Sequence, residues 1–315
     1  AAILRLAVAV IFFDRGYNVT ILEKHDLSGG RARKFESSGF TFDMGPSWYW
    51  MPDVFERFFN HFGKKASDYY TLKRLDPSYS IFFKPGEKVS LPASLEGLEQ
   101  LFDHYEPGAG LKLRDFLNEA RIKYDIGIRD LVYHPSLSPL EFVSAKTFKN
   151  LFKLNIFQSF NKYTKKYFSH PYLLQMLEFP ILFLGGTGAT TPALYSLMNY
   201  GDMALGTWYP MGGMYKVVEG MEKLNKELGV NIIYNSDVQH LPVKNKKIQE
   251  VIAGDKSYKA DVIISSADYN FTEENLLEEK DRSYSSKYWK NRVMSPSSLI
   301  YFLKKKKKME GIDHH

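Results

Sequence analysis

The chain has 315 residues, 44% hydrophobic and 25% charged, the composition of a folded protein long enough for two cores or one large interrupted domain. Its 42 Lys and Arg against 36 Asp and Glu give a formal net charge of +6, which favours an anionic surface without identifying one. It has no cysteine, which excludes disulfides, thiolate catalysis and cysteine-ligated metals, so redox chemistry needs a bound cofactor.

Residues 1 to 13 are apolar but carry Arg5 and run through Asp14-Arg15-Gly16 into a strand pattern, without a basic leader or a small-residue cleavage segment. Neither this run nor the one near residues 179 to 186 is long enough to span a bilayer, and the expectation is a cytoplasmic protein, soluble or peripherally membrane-associated. Leu6, Ala7, Ala9, Val10 and Phe13 fall on one face of a helix that Gly16 ends, and Val19-Thr20-Ile21-Leu22 reads as a short buried strand. Glu23 then stands at the strand's carboxyl end, where open α/β sheets bind ligands.

Ser28-Gly29-Gly30-Arg31-Ala32-Arg33 reads as a turn carrying two cations, and the alternating run Phe40-Thr41-Phe42-Asp43-Met44 is stopped by Gly45-Pro46. A helix is predicted over 52 to 62, strands over 79 to 83 and 88 to 91, and a helix over 95 to 104 capped by Ser94. Between residues 146 and 177, Lys146, Lys149, Lys153, Lys162, Lys165 and Lys166 are interleaved with apolar residues and there is no acid. Two arrangements suit that stretch: helices lying in a membrane interface, or a surface helix pair whose aromatics face the core.

A second α/β segment follows Pro210-Met211-Gly212-Gly213. Met214, Val217, Val218, Met221, Leu224 and Leu228 repeat at helical spacing up to Gly229, and a strand is predicted over 230 to 234. Val238 follows a turn, a hairpin is predicted around Gly254-Asp255, and residues 260 to 265 read as a buried strand. Five lysines, Lys304 to Lys308, read as a solvated run, and His314-His315 alone is weak evidence for a metal, so no metal site is expected. No helix-turn-helix or zinc pattern accompanies the positive charge, which argues against nucleic acid.

An acid at a strand end can accept bonds from both ribose hydroxyls, and a Gly-Gly turn can bring N–H groups to a pyrophosphate with Arg31 or Arg33 adding charge. In this order, Val19-Thr20-Ile21-Leu22-Glu23-Lys24, Ser28-Gly29-Gly30-Arg31-Ala32 and Gly39-Phe40-Thr41-Phe42-Asp43-Met44-Gly45-Pro46 resemble the flavoprotein desaturase family. That family takes in phytoene and dehydrosqualene desaturases, carotenoid isomerase and retinol saturase, and more distantly the flavin amine oxidases. Phe183-Leu184-Gly185-Gly186, residues 191 to 197 and above all Gly206-Thr207-Trp208-Tyr209-Pro210-Met211-Gly212-Gly213-Met214 look like its bacterial phytoene desaturase branch.

The resemblance implies an α/β fold: a Rossmann-like FAD-binding domain interrupted by a mixed, mainly helical substrate and membrane-facing domain. The flavin domain would comprise residues 1–75 and 210–270, the substrate domain 76–209, and 271–315 would return to the latter. FAD would be held by Glu23 at the ribose, by Gly29, Gly30 and Arg31 along the pyrophosphate, by Met44, Gly45 and Pro46 near the flavin ring, and by Val238 at the adenine. Trp48, Tyr49, Tyr195, Trp208 and Tyr209 are the candidates for lining a substrate tunnel, and no catalytic base is assigned. Ala2 and Arg5 stand where the family's Gly-x-Gly-x-x-Gly turn has its second and third glycines, and both are expected to crowd it. The first strand and the closing Gly-Asp motif of the family fall outside this sequence, which is expected to be incomplete at both ends.

The implied reaction takes a hydride and a proton from neighbouring carbons of a long apolar polyene such as phytoene, leaving a conjugated double bond, with quinone or oxygen as electron acceptor. The alternatives are a flavin-dependent carotenoid isomerase or retinoid saturase, or a noncatalytic peripheral lipid-binding protein.

Overall fold

The computed structural model describes residues 2–84, 86–129, 131–135, 137–138, 154–294 and 298–303. Among the described residues the chain divides into two compact units, one within 2–47, 55–72 and 210–303, the other within 48–54 and 73–209. Residues 271–294 and 298–303 fall in the first unit.

In the first unit the helix Ala2–Asp14 lies along the helix Tyr215–Leu228, burying Leu6 and Val10 with Val217, Val218, Met221 and Leu224. Both helices carry the apolar face that their spacing predicts. The buried Asn225 ties them: its Nδ2 donates to the carbonyl of Leu6 at 3.1 Å and to that of Met221 at 2.8 Å. The strand Thr20–Leu22 pairs in parallel with Asn231–Ile233, Ile21 opposite Ile232. A parallel pair needs a long crossover, and here it is supplied by chain from distant parts of the sequence.

The hairpin Lys34–Ser37 with Phe40–Asp43 stacks Phe35 on Phe42, ring centres 5.0 Å apart. Lys256–Tyr258, Val251–Ala253 and Val238–His240 form a three-stranded antiparallel sheet over Leu241 and Leu276. The strand predicted over 260 to 265 does not form: these residues join no described strand, and Val262 and Ile264 are each 52% exposed. An apolar run records a capacity for burial, but pairing requires a neighbouring edge in register, and no described strand offers one.

In the second unit the hairpin Tyr79–Lys84 with Glu87–Leu91 and the helices Leu95–Tyr105 and Ala109–Arg129 surround one core. Ser94 caps the first of these helices, its Oγ accepting the Gly97 N–H at 3.0 Å. In the described part of the lysine-rich stretch, Phe160, Tyr163, Phe168, Leu173, Met176 and Leu177 enter this core while Lys162, Lys165 and Lys166 face outward. The aromatics here take the core-facing arrangement. Lys146, Lys149, Lys153, Lys304 to Lys308, His314 and His315 lie outside the described residues. No helix among the described residues is long and apolar enough to cross a membrane.

Candidate functional site

The first unit gathers a nucleotide-shaped set of groups at the carboxyl end of the Thr20–Leu22 strand. Glu23 follows that strand and is 3% exposed, its N–H donating to the Ile233 carbonyl at 2.8 Å. Its Oε1 accepts the His25 N–H at 3.0 Å, and its Oε2 is paired with Arg5 Nη2. Arg5 Nη1 also donates to the Leu22 carbonyl at 3.2 Å. Arg5, expected to crowd the helix–strand packing, instead bridges it: its long side chain leaves the helix and ends on the strand terminus.

The turn after Glu23 has Gly29 at φ +119° and Gly30 at φ +53°, a left-handed region where a side chain is strained. A 3-10 turn follows, Gly30–Ala32, whose bonds run from Ala32 N–H to Gly29 O and from Arg33 N–H to Gly30 O. The N–H groups of Gly30 and Arg31 precede those bonds and take no part in them. Arg33 is folded back, its Nε on the Gly30 carbonyl at 2.9 Å, whereas the exposed Arg31 makes no ion pair with a described residue. Tyr215 backs the turn, donating its hydroxyl to the Ser28 carbonyl at 3.1 Å.

Met44 donates its N–H to the Arg33 carbonyl at 2.7 Å, and Gly45 and Pro46 follow, exposed. A Cβ at Gly45 would fall 2.2 Å from the Arg31 carbonyl oxygen, so only glycine lets these two backbones meet. Asp43 anchors the same corner by accepting the N–H groups of Met214 at 2.8 Å and Tyr215 at 2.9 Å, at the start of the helix Tyr215–Leu228. Val238 lies two residues beyond Ser236, whose N–H donates to the Glu23 carbonyl at 2.8 Å. Thus Glu23, the glycine turn, the Met44 corner and the approach to Val238 belong to one unit.

These groups fit the ribose and pyrophosphate of a dinucleotide. Each Glu23 oxygen accepts one bond and a carboxylate oxygen takes two, so capacity for two hydroxyls remains despite Arg5. The Gly30 and Arg31 N–H groups beside the Arg31 charge suit a diphosphate. Sequence reasoning missed the roles of Ser28 and Tyr215, which no local motif signals.

The aromatic candidates lie in the second unit, in different settings. Trp48 stacks on Trp50 with ring centres 5.7 Å apart and meets Tyr79, Phe179 and Phe183 at 5.3, 5.2 and 5.3 Å. Tyr49 is 2% exposed and exchanges backbone bonds with Trp208, each 3.0 Å. Trp208 donates its indole N–H to the Leu205 carbonyl at 2.9 Å, with Arg74 over its ring. Tyr195 and Tyr209 are half-buried, Tyr195 packed against the core. Trp50, Phe179 and Phe183 were not singled out from sequence, because their contact joins segments far apart in the chain. Among the described residues no group of three or more His, Asp or Glu is placed to hold a metal.

A parallel strand pair with an acid at its carboxyl end and a glycine turn beside it fits the α/β class that binds dinucleotides. The profile of the flavin containing amine oxidoreductases matches residues 6–293, and the chain belongs to that family. A flavin, in the form of FAD, is therefore its cofactor. The chain is 37% identical over 314 residues to the carotenoid 3,4-desaturase of Haloarcula japonica, covering 98% of this chain and 63% of that protein. With the zeta-carotene-forming phytoene desaturase of Myxococcus xanthus it shares 27% identity over 311 residues, 98% of this chain and 60% of the other. The chain thus spans under two thirds of the length of these relatives. An oxidoreductase from Methanosarcina mazei shares the fold at a TM-score of 0.51 and 17% identity, over 82% of this chain and 55% of the other.

Proposed function

We propose that this chain is the greater part of an FAD-dependent desaturase that introduces conjugated double bonds into a long apolar polyene of the carotenoid class. The observation that carries this is the similarity to a carotenoid 3,4-desaturase along 98% of the chain. The rest of the reading fits it: an acid and a glycine turn suited to a nucleotide in one unit, and a cluster of packed aromatic rings around Trp48 in the other. The bound flavin supplies the two-electron acceptor that a chain without cysteine lacks.

In this proposal Glu23 receives the adenosine ribose, Gly29, Gly30 and Arg31 the pyrophosphate, Met44, Gly45 and Pro46 the flavin side, and Val238 the adenine. Residues 1–75 and 210–270 form the flavin domain, and 76–209 the interrupting, mainly helical substrate domain. Trp48, Tyr49, Tyr195, Trp208 and Tyr209 are the candidate substrate residues. Association with a membrane surface, which an apolar substrate requires, rests on the outward Lys162, Lys165 and Lys166 and on the exposed Leu182, Phe183 and Leu184.

The test is to load the purified protein with FAD and supply phytoene and dehydrosqualene in lipid vesicles with a quinone. Products with added conjugated double bonds are expected. Geometric rearrangement without added double bonds would favour an isomerase, and unchanged substrate with a fully loaded flavin would reject desaturation. Binding to anionic vesicles should weaken when Lys162, Lys165 and Lys166 are changed to Gln, and unchanged binding would reject their role.

A further inference from the structure

Asp202 is 2% exposed, in the interior of the second unit, and the Tyr200–Ala204 segment that carries it is a π-helical turn. Such wide turns are rare and concentrate at functional sites. Two hydroxyls converge on the carboxyl group: Tyr79 donates to Oδ2 at 2.6 Å and Thr207 donates to Oδ1 at 3.1 Å. Thr207 in turn accepts the indole N–H of Trp50 at 2.8 Å. Tyr79 packs against Trp48, ring centres 5.3 Å apart, and Trp48 stacks on Trp50. Phe183 sets its edge against both indoles, at 5.3 and 5.4 Å, and is 56% exposed, so the ring group reaches the surface of the unit.

We propose that Asp202 is a positioning residue which, through Thr207 and Tyr79, holds Trp50 and Trp48 as an aromatic wall for an extended apolar polyene. The ligand class rests on the desaturase reading above. The coupling rests on the bonds alone.

Ionised, Asp202 accepts from both hydroxyls, and the Thr207 oxygen remains turned to Trp50, so all three donors have acceptors. Protonated, the carboxyl must itself donate, so either Tyr79 or Thr207 reverses and its own O–H loses its acceptor. A buried hydroxyl without a partner costs about 1–3 kcal/mol, which loosens the wall. Burial pushes the Asp202 pKa up to about 7, with the bonds from Tyr79 and Thr207 pulling the other way, so this change falls at neutral pH.

The other charged groups on neighbouring elements are engaged elsewhere. Arg74, beside Gly206, donates to the Ala93 carbonyl and lies over the Trp208 ring. On the helix Ala109–Arg129, Lys123 is held by Ser196 and the Tyr163 ring, Tyr124 donates to Asp53, and Arg129 pairs with Asp125 and Asp53. Tyr79 is the titratable hydrogen-bond partner of Asp202, and burial followed by the Asp202 charge holds its own pKa well above the ordinary tyrosine value.

The experiment is tryptophan emission against pH in the full chain carrying Trp208→Phe and Trp289→Phe, so that of its 4 Trp only Trp48 and Trp50 report. Emission should titrate with a midpoint near pH 7. Asp202→Asn should abolish the transition, Thr207→Val should reduce it by removing the Trp50 branch while the Tyr79–Trp48 contact remains, and Thr207→Ser, which keeps the hydroxyl, should retain it in full. A transition that persists in Asp202→Asn, or is absent from the parent, would overturn the proposal. Where Asp202→Asn fails to fold, the Thr207 pair decides: an equal reduction with Ser and Val also overturns it.

Quenching of the same emission by a conjugated polyene in neutral vesicles measures the wall. Asp202→Asn should weaken apparent binding roughly tenfold at pH 8, and equal binding would overturn the positioning role. Absence of polyene quenching in the parent, alongside the expected pH transition, would overturn the polyene reading alone and leave the coupling supported.

Discussion

Replacing Arg5 by Leu tests the nucleotide corner most directly. In the parent, Arg5 spans from the helix Ala2–Asp14 to the strand end, donating to the Leu22 carbonyl and pairing with Glu23, which is 3% exposed. Leucine fills part of the volume but leaves Glu23 with only the His25 N–H. Removing one partner of a buried ion pair costs about 3–5 kcal/mol, because the remaining charge keeps its desolvation penalty. The Arg5 side chain is 21% exposed, which places the expected loss at the lower end, about 3 kcal/mol.

Urea unfolding followed by far-UV circular dichroism measures it, with Glu23→Gln and the double variant completing a cycle. Glu23→Gln should cost less than Arg5→Leu, since the amide needs no countercharge. The double variant should recover much of the loss. A change under about 1 kcal/mol for Arg5→Leu, the value of an exposed pair, would refute the claim that Glu23 is a buried charge held by Arg5. Titration with FAD adds a second readout: Glu23→Gln should weaken FAD binding more than FMN binding, because only FAD carries the adenosine ribose. Equal loss for both would remove Glu23 from the ribose.

Asp202 makes stability depend on pH in a fixed direction. Its pKa is raised to about 7 from the ordinary 3.8, so the folded state binds its proton more tightly than the unfolded state. The associated stability is fully present below the ordinary value and is lost as pH rises through 7. Asp202→Asn should therefore flatten thermal stability between these limits, and a parallel pH dependence in both proteins would contradict this. Gly45→Ala places a Cβ 2.2 Å from the Arg31 carbonyl oxygen and should destabilise by about 2–3 kcal/mol in urea unfolding, with weakened FAD binding. Asp43→Ala removes the acceptor for the Met214 and Tyr215 N–H groups and should cost about 1–2 kcal/mol, with Asp43→Asn retaining more of the parent stability.

Periodicity and turn chemistry made much of the chain legible before any coordinates. The face of Leu6 and Val10, the Ser94 cap, the helix from Met214 to Gly229 and the glycine turn at 29 and 30 are local consequences of side-chain spacing, and they appear where expected. The motif order from Glu23 to Met214 also sufficed to place the chain among flavoproteins.

Tertiary structure alone decided the remainder, because each missing fact is a contact between distant segments. The apolar run at 260 to 265 signals burial yet stays unpaired, since a strand is completed only by a neighbour in register. Arg5 read as an intruder in the helix–strand packing and is instead the partner of Glu23, eighteen residues further along the chain. Asp202, Tyr79, Thr207 and Trp50 belong to separate stretches without a shared motif, and only the folded chain directs their polar atoms to one buried point. Spacing along the chain determines which face of a helix or strand is apolar. What that face meets depends on which distant segments close around it.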